Sequence, residues 1–181
     1  MQEEINKAID TLKRGGIILY PTDTIWGIGC DAKNKDAVAK IFSIKKRHNS
    51  KALISLVSSK DMINQFTDAN QLEIKDFNKP TTIVYQNVKN LANNLIAEDN
   101  TAAFRITNDK FCNLLISSFG SPIVSTSANI SGKSNPKQFS EISKHIKKNV
   151  DYIVNLRTKE IMENPSQILF INKDRSIKKL R

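Results

Sequence analysis

Four cations lie within seven residues of this chain: Lys45, Lys46, Arg47 and Lys51. Apolar residues at helical spacing precede them and a strand-like apolar run follows, so they occupy a junction between two elements. Junction loops on a rigid scaffold often carry binding groups. Arginine offers a planar fork to phosphate or carboxylate, and lysine offers a point charge. The stretch by itself fits an anion-binding loop and a solvated charged surface equally well.

A second polar stretch, 125–132, reads Ser-Thr-Ser-Ala-Asn-Ile-Ser-Gly and follows the buried-strand pattern of 122–124. In α/β sheets, ligands bind beyond the carboxyl ends of strands, where loop N–H groups can hold an anion. The alternative is an ordinary loop rich in Ser, Thr and Asn. The overlapping Gly132-Lys133-Ser134 resembles the end of a P-loop, but that motif requires glycine where Ser127 stands. The stretch is therefore a candidate binding loop, and the P-loop interpretation is rejected.

Candidates for acid–base or nucleophilic catalysis are few. The histidines are His48, inside the cationic junction, and His145, in a lysine-rich helical pattern that predicts an exposed residue without a catalytic role. No serine has a recognisable triad context, and no His, Cys, Asp or Glu cluster has metal-site spacing. What remains is a set of cations and hydroxyls: Lys45, Arg47, Lys51, Arg105, Ser125, Ser127 and Arg181.

Such a set suits chemistry done by positioning and charge neutralisation, as in reactions at phosphorus centres. Two members have other interpretations. Arg105 fits a surface charge at a strand end, and Arg181 fits a disordered terminal residue.

Strand and helix patterns alternate along the chain and must position these residues. Gly27 and Gly29 predict a close backbone approach, either to a ligand or to another strand. The predicted strands are 17–20, 52–57, 81–85, 101–106, 122–124, 152–156, 167–171 and 177–180. Helical patterns cover 5–12, 38–42, 60–78, 91–97, 111–116 and 139–148. This alternation predicts one α/β domain over 1–181 around a mixed sheet.

Composition narrows the class of protein. The net charge of +10 favours anionic partners such as nucleotides or nucleic acid. Two cysteines make neither a disulfide framework nor a metal cluster. The acidic start lacks the features of a signal peptide, and the longest apolar runs are too short to cross a membrane. We therefore expect a cytoplasmic protein without a membrane association.

Three ordered motifs resemble those of the YrdC-like family, the L-threonylcarbamoyladenylate synthases. Residues 20–29 carry a Pro-Thr-Asp-Thr core, 44–47 carry Lys-x-Arg, and 125–129 carry Ser-x-Asn. The resemblance runs from about Gly15 to the end of the chain. It departs from the family pattern at His48 and Ala52, where proline is frequent, and in the loop before the strand at 81–85. It departs again at Gln167, where a threonine is expected.

The resemblance implies a single domain with a twisted mixed β-sheet, flanked by helices and carrying a large basic concave cleft. It also implies a reaction in which L-threonine, bicarbonate and ATP, with Mg²⁺ carried by the ATP, give threonylcarbamoyl-AMP and pyrophosphate. A downstream complex would then transfer the threonylcarbamoyl group to tRNA, and direct contact of this chain with tRNA is left open.

Two alternatives remain at this point. One is a non-catalytic RNA-binding module, which the net charge favours but for which no RNA-recognition signature is present. The other is the related carbamoyl-transfer module of hydrogenase maturation factors, whose further regions this sequence lacks.

The same resemblance assigns roles to individual residues. Lys45 and Arg47 are the expected catalytic residues, and Asn129 is expected to shape the polar loop. The expected contacts of ATP are Arg47, Lys51, Thr101, Ser127, Asn135 and Arg181. The expected contacts of threonine are Thr24, Arg105, Ser125 and Ser166. No metal ligand is expected, and Asp23, the only acid in the first motif, receives no definite role.

Overall fold

The computed structural model describes residues 1–47, 53–67, 78–171 and 176–180, and their strands join into one mixed sheet. In chain order the strands are β1 (Ile18–Tyr20), β2 (Gly27–Gly29), β3 (Ile54–Val57), β4 (Thr81–Tyr85), β5 (Ala102–Ile106), β6 (Ile123–Ser127), β7 (Tyr152–Ile153), β8 (Gln167–Ile171) and β9 (Ile177–Lys179). Across the sheet they run β7-β1-β2-β6-β3-β5-β4-β8-β9. The pairs β1/β7, β3/β5 and β4/β8 are parallel and the other described pairs are antiparallel. The predicted mixed α/β sheet is confirmed.

The helices of the described residues are α1 (Gln2–Lys13), α2 (Lys35–Lys45), α3 (Lys60–Asn64), α4 (Lys110–Phe119) and α5 (Lys144–Lys148). Local sequence sets their ends. The side chain of Asn34 accepts hydrogen bonds from the first backbone N–H groups of α2. Gly120, with a φ of 75°, ends α4 in the left-handed conformation that glycine adopts readily. None of the described helices is both long and apolar enough to span a membrane.

Apolar side chains bury both faces of the sheet. Ile18 and Tyr20 of β1 pack with α1 and α4, and Leu19 between them packs with α2 and α5 on the opposite face. This separation follows from the alternation of side chains along a strand. We refer to the first of these as the α1/α4 face. Ser125 and Ser127 lie on that face, since Ile123 of the same strand packs with α1 and α4.

Strand β6 is longer than the sequence pattern predicts. Residues 125–127, expected in a loop, belong to the strand: Thr126 and Ser127 pair with β2 on one side, and Ser125 pairs with β3 on the other. The two neighbouring strands supply backbone hydrogen-bond partners, and these override the loop preference of a Ser/Thr-rich composition. The hydroxyls therefore project from a sheet and not from a flexible loop.

Two predicted helices are shorter than expected. The pattern at 139–148 is divided into a 3-10 turn (Phe139–Glu141) and α5, because Ser143 caps α5 through the Ile146 N–H. The pattern at 91–97 contains only the 3-10 turn Asn93–Leu95. Of the helical pattern at 60–78, α3 is present and 68–77 lie outside the described residues.

The two glycines of β2 do make the predicted close approach, and their neighbour is another strand. A Cβ on Gly29 would lie 2.2 Å from the carbonyl oxygen of Val124 in β6. A Cβ on Gly27 would lie 3.2 Å from the hydroxyl of Ser125. Glycine at both positions lets β2 lie tightly against the strand that carries the serine hydroxyls.

Candidate active site

A cavity of about 180 Å³ brings together most of the predicted site residues. It lies on the α1/α4 face of the sheet, over the ends of β3, β5 and β6. Seven predicted residues line it: Thr24, Arg47, Arg105, Ser125, Ser127, Asn135 and Ser166. They come from six separate segments of the chain, so the fold, and not any local sequence, creates this site.

Arg105 provides the most buried cation of the cavity wall, with only 4% of the residue exposed. It lies near the end of β5. One terminal nitrogen donates to the hydroxyl of Thr24 at 3.1 Å, and the other donates to the carboxylate of Asp23 at 2.9 Å. Each terminal nitrogen of a guanidinium carries a second N–H. Arg105 is thus fixed in orientation while it still has donors for a ligand carboxylate.

The turn between β1 and β2 is held by its own hydroxyls. Thr22 donates to the carbonyl of Ile25 at 2.8 Å and accepts from the Thr24 N–H at 3.1 Å. The Thr22 and Thr24 hydroxyls are 2.9 Å apart. Because the Thr22 hydrogen is directed at Ile25, Thr24 is the donor of that contact and the acceptor from Arg105.

Lys45 is buried and does not line the cavity. Its ammonium group donates to the carbonyls of Ser127 and Asn129, and to the side-chain oxygen of Asn129. Burial, with a smaller contribution from Arg47, lowers the pKa of Lys45 to about 7. The geometry makes Lys45 a support for the chain after β6.

Hydrogen bonds hold the end of β6 and the chain that follows it, residues 127–133. The Ser127 hydroxyl donates to the side-chain oxygen of Asn129 at 2.6 Å. The Asn129 amide nitrogen donates to the carbonyl of Lys133. The Ser131 N–H donates to the carbonyl of Lys45 at 2.8 Å. These bonds fix the position of the Ser127 hydroxyl at the cavity wall.

A left-handed residue directs Arg47 into the cavity. Lys46 ends α2 with a φ of 50°, and the Arg47 N–H donates back to the carbonyl of Phe42 at 3.0 Å. The chain reverses at this point, so Lys45 points into the protein while Arg47 reaches the cavity. Partial burial lowers the pKa of Arg47, which nevertheless stays charged.

Ser166 lies directly before β8 and contacts β4. Its hydroxyl lies 2.8 Å from that of Thr82, and both residues are buried. The next residue, Gln167, donates from its side chain to the Thr81 hydroxyl at 2.7 Å. Gln167 therefore joins β8 to β4 where the family pattern has a threonine.

Two further cavities adjoin the first. One, of about 290 Å³, shares Asn135 with it and continues along 128–143. The other, of about 680 Å³, shares Pro165 and Ser166 and is also lined by Asp23, Lys79 and Lys179. The three cavities are therefore neighbours that share lining residues.

Thr101 is a further predicted residue that does not line the cavity. Thr101 precedes β5, and its hydroxyl donates to Asp99 at 2.7 Å. It lies four residues before Arg105, outside the lining. Lys51 and Arg181, like the departures His48 and Ala52, fall outside the described residues.

His145, predicted on the exposed side of a helix, lies in α5 but is only partly exposed. Its Nε2 atom lies 3.0 Å from the carbonyl of Ile44, because α5 packs against the end of α2. Sequence reasoning also assigned no definite role to Asp23, although its carboxylate contacts Arg105. The available signal was its position within the Pro-Thr-Asp-Thr motif.

Comparison with known proteins gives a family match over most of the chain. The Sua5, YciO and YrdC family model, described as "Telomere recombination", matches residues 10–181. A "Threonylcarbamoyl-AMP synthase" of Xanthomonas euvesicatoria is 28% identical over 172 residues, which are 91% of each chain. A "Putative threonylcarbamoyl-AMP synthase" of Methanocaldococcus jannaschii is 33% identical over 184 residues, covering 97% of this chain and 86% of that protein.

Solved structures match the fold at lower identity. P. abyssi Sua5 complexed with L-threonine has a TM-score of 0.82 at 22% identity, over 98% of this chain and 53% of that one. E. coli YciO has a TM-score of 0.83 at 21% identity, over 100% of this chain and 89% of that one. This chain thus spans about half of the P. abyssi protein and most of the E. coli protein.

Proposed function

This chain belongs to the Sua5/YciO/YrdC family, and we propose that it is an L-threonylcarbamoyladenylate synthase. The proposed reaction forms threonylcarbamoyl-AMP and pyrophosphate from L-threonine, bicarbonate and ATP. One observation carries the proposal: a single cavity has the buried guanidinium of Arg105 and the guanidinium of Arg47 in its wall, with serine hydroxyls of β6 beside them. Such a cavity offers separate positions for a carboxylate and for phosphates.

The amino-acid end of the site is assigned to Arg105, Thr24, Ser125 and Ser166. A guanidinium binds a carboxylate through two parallel N–H bonds, and Arg105 is held in place for this by Thr24 and Asp23. The cavity of about 180 Å³ is smaller than the ~300–1,000 Å³ of typical sites for larger ligands. It suits an amino acid better than a whole nucleotide.

The nucleotide end is assigned to Arg47, Ser127 and Asn135. Asn135 also lines the adjoining cavity of about 290 Å³, which gives the nucleotide room to extend beyond the amino-acid pocket. Lys45 holds the Ser127 carbonyl from below and is a positioning residue in this scheme. Lys51, Thr101 and Arg181 remain predictions for the same ligand.

The proposed chemistry requires no protein nucleophile. The threonine amine becomes a carbamate with bicarbonate, and water leaves. A carbamate oxygen then attacks the α-phosphorus of ATP, the bond to the β-phosphate oxygen breaks, and pyrophosphate departs. Both reactants of the second step are anions, so Arg47 and Arg105 would act by neutralising their repulsion and aligning the attack.

Magnesium fits this site as a companion of the substrate. Within the described ranges there is no group of three or more His, Cys, Asp or Glu side chains placed to hold a metal ion. A Mg²⁺ ion would thus be bound mainly by the ATP phosphates, where it supplies charge neutralisation. The chain's own contribution is the pair of guanidinium groups.

The product is a mixed anhydride that would be consumed by a tRNA threonylcarbamoyl-transfer complex. A cytoplasmic location belongs to the same proposal, since Cys30 and Cys112 are both buried free thiols.

The test is pyrophosphate release from ATP, measured with threonine and bicarbonate added singly and together. Release that requires both supports the synthase. If folded protein releases no pyrophosphate and binds tRNA in a salt-dependent way, the RNA-binding module would replace the synthase as the function of this chain. If pyrophosphate is released without threonine, the assignment of the ATP site stands and the assignment of threonine as the substrate is wrong.

A further inference from the structure

A partly buried carboxylate, that of Asp23, adjoins the amino-acid end of the site. Asp23 lies in the turn between β1 and β2, with 15% of its side chain exposed, and its carboxylate is 2.9 Å from Arg105. It lines the cavity of about 680 Å³, and that cavity shares Ser166 with the amino-acid pocket. Asp23 therefore lines the neighbouring cavity, while Arg105, which it contacts, lines the amino-acid pocket itself.

An amino acid carries a carboxylate and an ammonium group on the same carbon atom. A site that binds it as a zwitterion needs a cation and an anion side by side. Arg105 and Asp23 are such a pair, and Asp23 is the only carboxylate among the described residues that line the two cavities. An unpaired ammonium group in this partly buried site would be costly.

We propose that Asp23 binds the α-ammonium group of the amino-acid substrate and accepts one of its protons before the carbamate forms. The inference rests on the proposed function. In the step, the ammonium proton passes to the Asp23 carboxylate, and the nitrogen lone pair attacks the carbon of bicarbonate. The nitrogen–carbon bond forms, water leaves, and the carbamate remains.

The surroundings of Asp23 suit a proton acceptor. Burial raises its pKa, and Arg105 opposes this rise. A carboxylate with a raised pKa is a better base than one on the surface. Three charged side chains lie near it: Arg105 on β5, Asp109 at the start of α4, and Arg157 in the segment between β7 and β8. Lys79 and Lys179 line the same cavity of about 680 Å³.

The first test uses the intact protein and its isosteric variant Asp23→Asn, with Asp10→Asn, at an exposed position of α1, as the matched control. Asparagine keeps an oxygen acceptor for Arg105 but loses the negative charge. Equilibrium binding is measured for L-threonine and for 3-hydroxybutyrate, which lacks the ammonium group. Wild type and the control should prefer threonine by about 10–100-fold, and Asp23→Asn should lose this preference. If Asp23→Asn keeps the preference, Asp23 does not bind the ammonium group.

The second test separates proton transfer from positioning. If Asp23→Asn reacts only with threonine that is already deprotonated, its turnover should increase about tenfold for each unit by which the pH rises towards the pKa of the amine. The ratio of wild-type to variant turnover should therefore fall about tenfold for each unit of rising pH in this range. Titration of Lys45 affects both proteins and cancels in this ratio. A ratio that is constant with pH would reduce Asp23 to a positioning residue for Arg105 and overturn the proton transfer.

Binding also separates this inference from the proposed function. Wild-type protein that binds neither threonine nor 3-hydroxybutyrate overturns both. Wild-type protein that binds the two equally overturns the role of Asp23 alone.

Discussion

The buried ammonium of Lys45 is held by both oxygens of Asn129, the main-chain carbonyl at 2.8 Å and the side-chain oxygen at 3.1 Å. The end of α2 and the chain after β6 are thereby joined through one side chain. Because Asn129 also accepts from the Ser127 hydroxyl, the same contact sets a group on the cavity wall. Lys45 and Arg47, two residues apart, thus have different tasks. Lys45 holds the chain at 127–129 without lining the cavity, and Arg47 lines the cavity.

Replacing Lys45 by Met should disorder the nucleotide end of the site. Three oxygen acceptors lose a charged donor, although the Ser127 carbonyl still accepts from the Asn129 N–H and the Asn129 side-chain oxygen still accepts from the Ser127 hydroxyl. A hydrogen bond to a charged group contributes about 1.5–3 kcal/mol. We expect kcat/KM for ATP to fall by ~10²-fold with a smaller change in the KM for threonine. Steady-state pyrophosphate release checks this. Lys40→Met, an exposed change on the same helix, should leave both values within about twofold, and equal losses in the two variants would contradict the support by Lys45.

The lowered pKa of Lys45 predicts a pH-dependent stability. Below pH 7 the lysine is protonated in both folded and unfolded chains, so the full penalty of burying its charge is present. Above its folded pKa of about 7 and below its unfolded pKa of about 10.4, the unfolded chain binds the additional proton, so stability rises with pH. The slope from this group is up to about 1.4 kcal/mol per pH unit.

Urea unfolding at pH 6.5 and pH 9 measures this effect. The difference in unfolding free energy between wild type and Lys45→Met should shift in favour of wild type at the higher pH. A difference that stays constant between the two values would show that Lys45 keeps its proton in the folded protein.

Removing the Arg47 guanidinium should lower the reaction rate without unfolding the protein. Loss of one charge-stabilising group typically costs ~10²–10³ in rate, and we expect Arg47→Ala to fall in this range. The control is Lys46→Asn, which removes the exposed neighbouring charge and tolerates the left-handed backbone at that position. Single-turnover pyrophosphate release should separate the two variants, and similar rates would remove Arg47 from the site.

The outline of the fold was predictable because its signals are local. The stop of α1 before two glycines and the cap of α2 by Asn34 follow from short-range sequence. The extent of β6 does not follow from short-range sequence, because Ser125–Ser127 are strand residues only through pairing with β2 and β3. The division of 139–148 was missed because helical spacing outweighed the capping tendency of Ser143.

For the site, the sequence motifs named residues that the fold brings together, but not the tasks of those residues. Nothing in the Lys-x-Arg spacing indicates that Lys45 is buried under the chain at 127–129, since that contact joins positions more than eighty residues apart. The pair of Asp23 and Arg105 likewise joins the turn between β1 and β2 to β5, which is distant in sequence. Contacts of this range depend on sheet order, which the sequence pattern did not give.

The two glycines of β2 allow a paired test of how the sheet supports the site. In Gly29→Ala the new Cβ would meet the Val124 carbonyl at 2.2 Å, and a backbone atom within a sheet cannot easily move away. We expect a loss of about 1–3 kcal/mol or more in unfolding free energy.

In Gly27→Ala the nearest atom is the Ser125 hydroxyl at 3.2 Å, which can rotate. That variant should keep most of its stability, but its new methyl group intrudes on the cavity, so the KM for threonine should rise by about tenfold or more. Thermal unfolding and threonine titration, done on both variants, distinguish these effects. The reverse result, a destabilised Gly27→Ala and a stable Gly29→Ala, would contradict the register of β2 against β6.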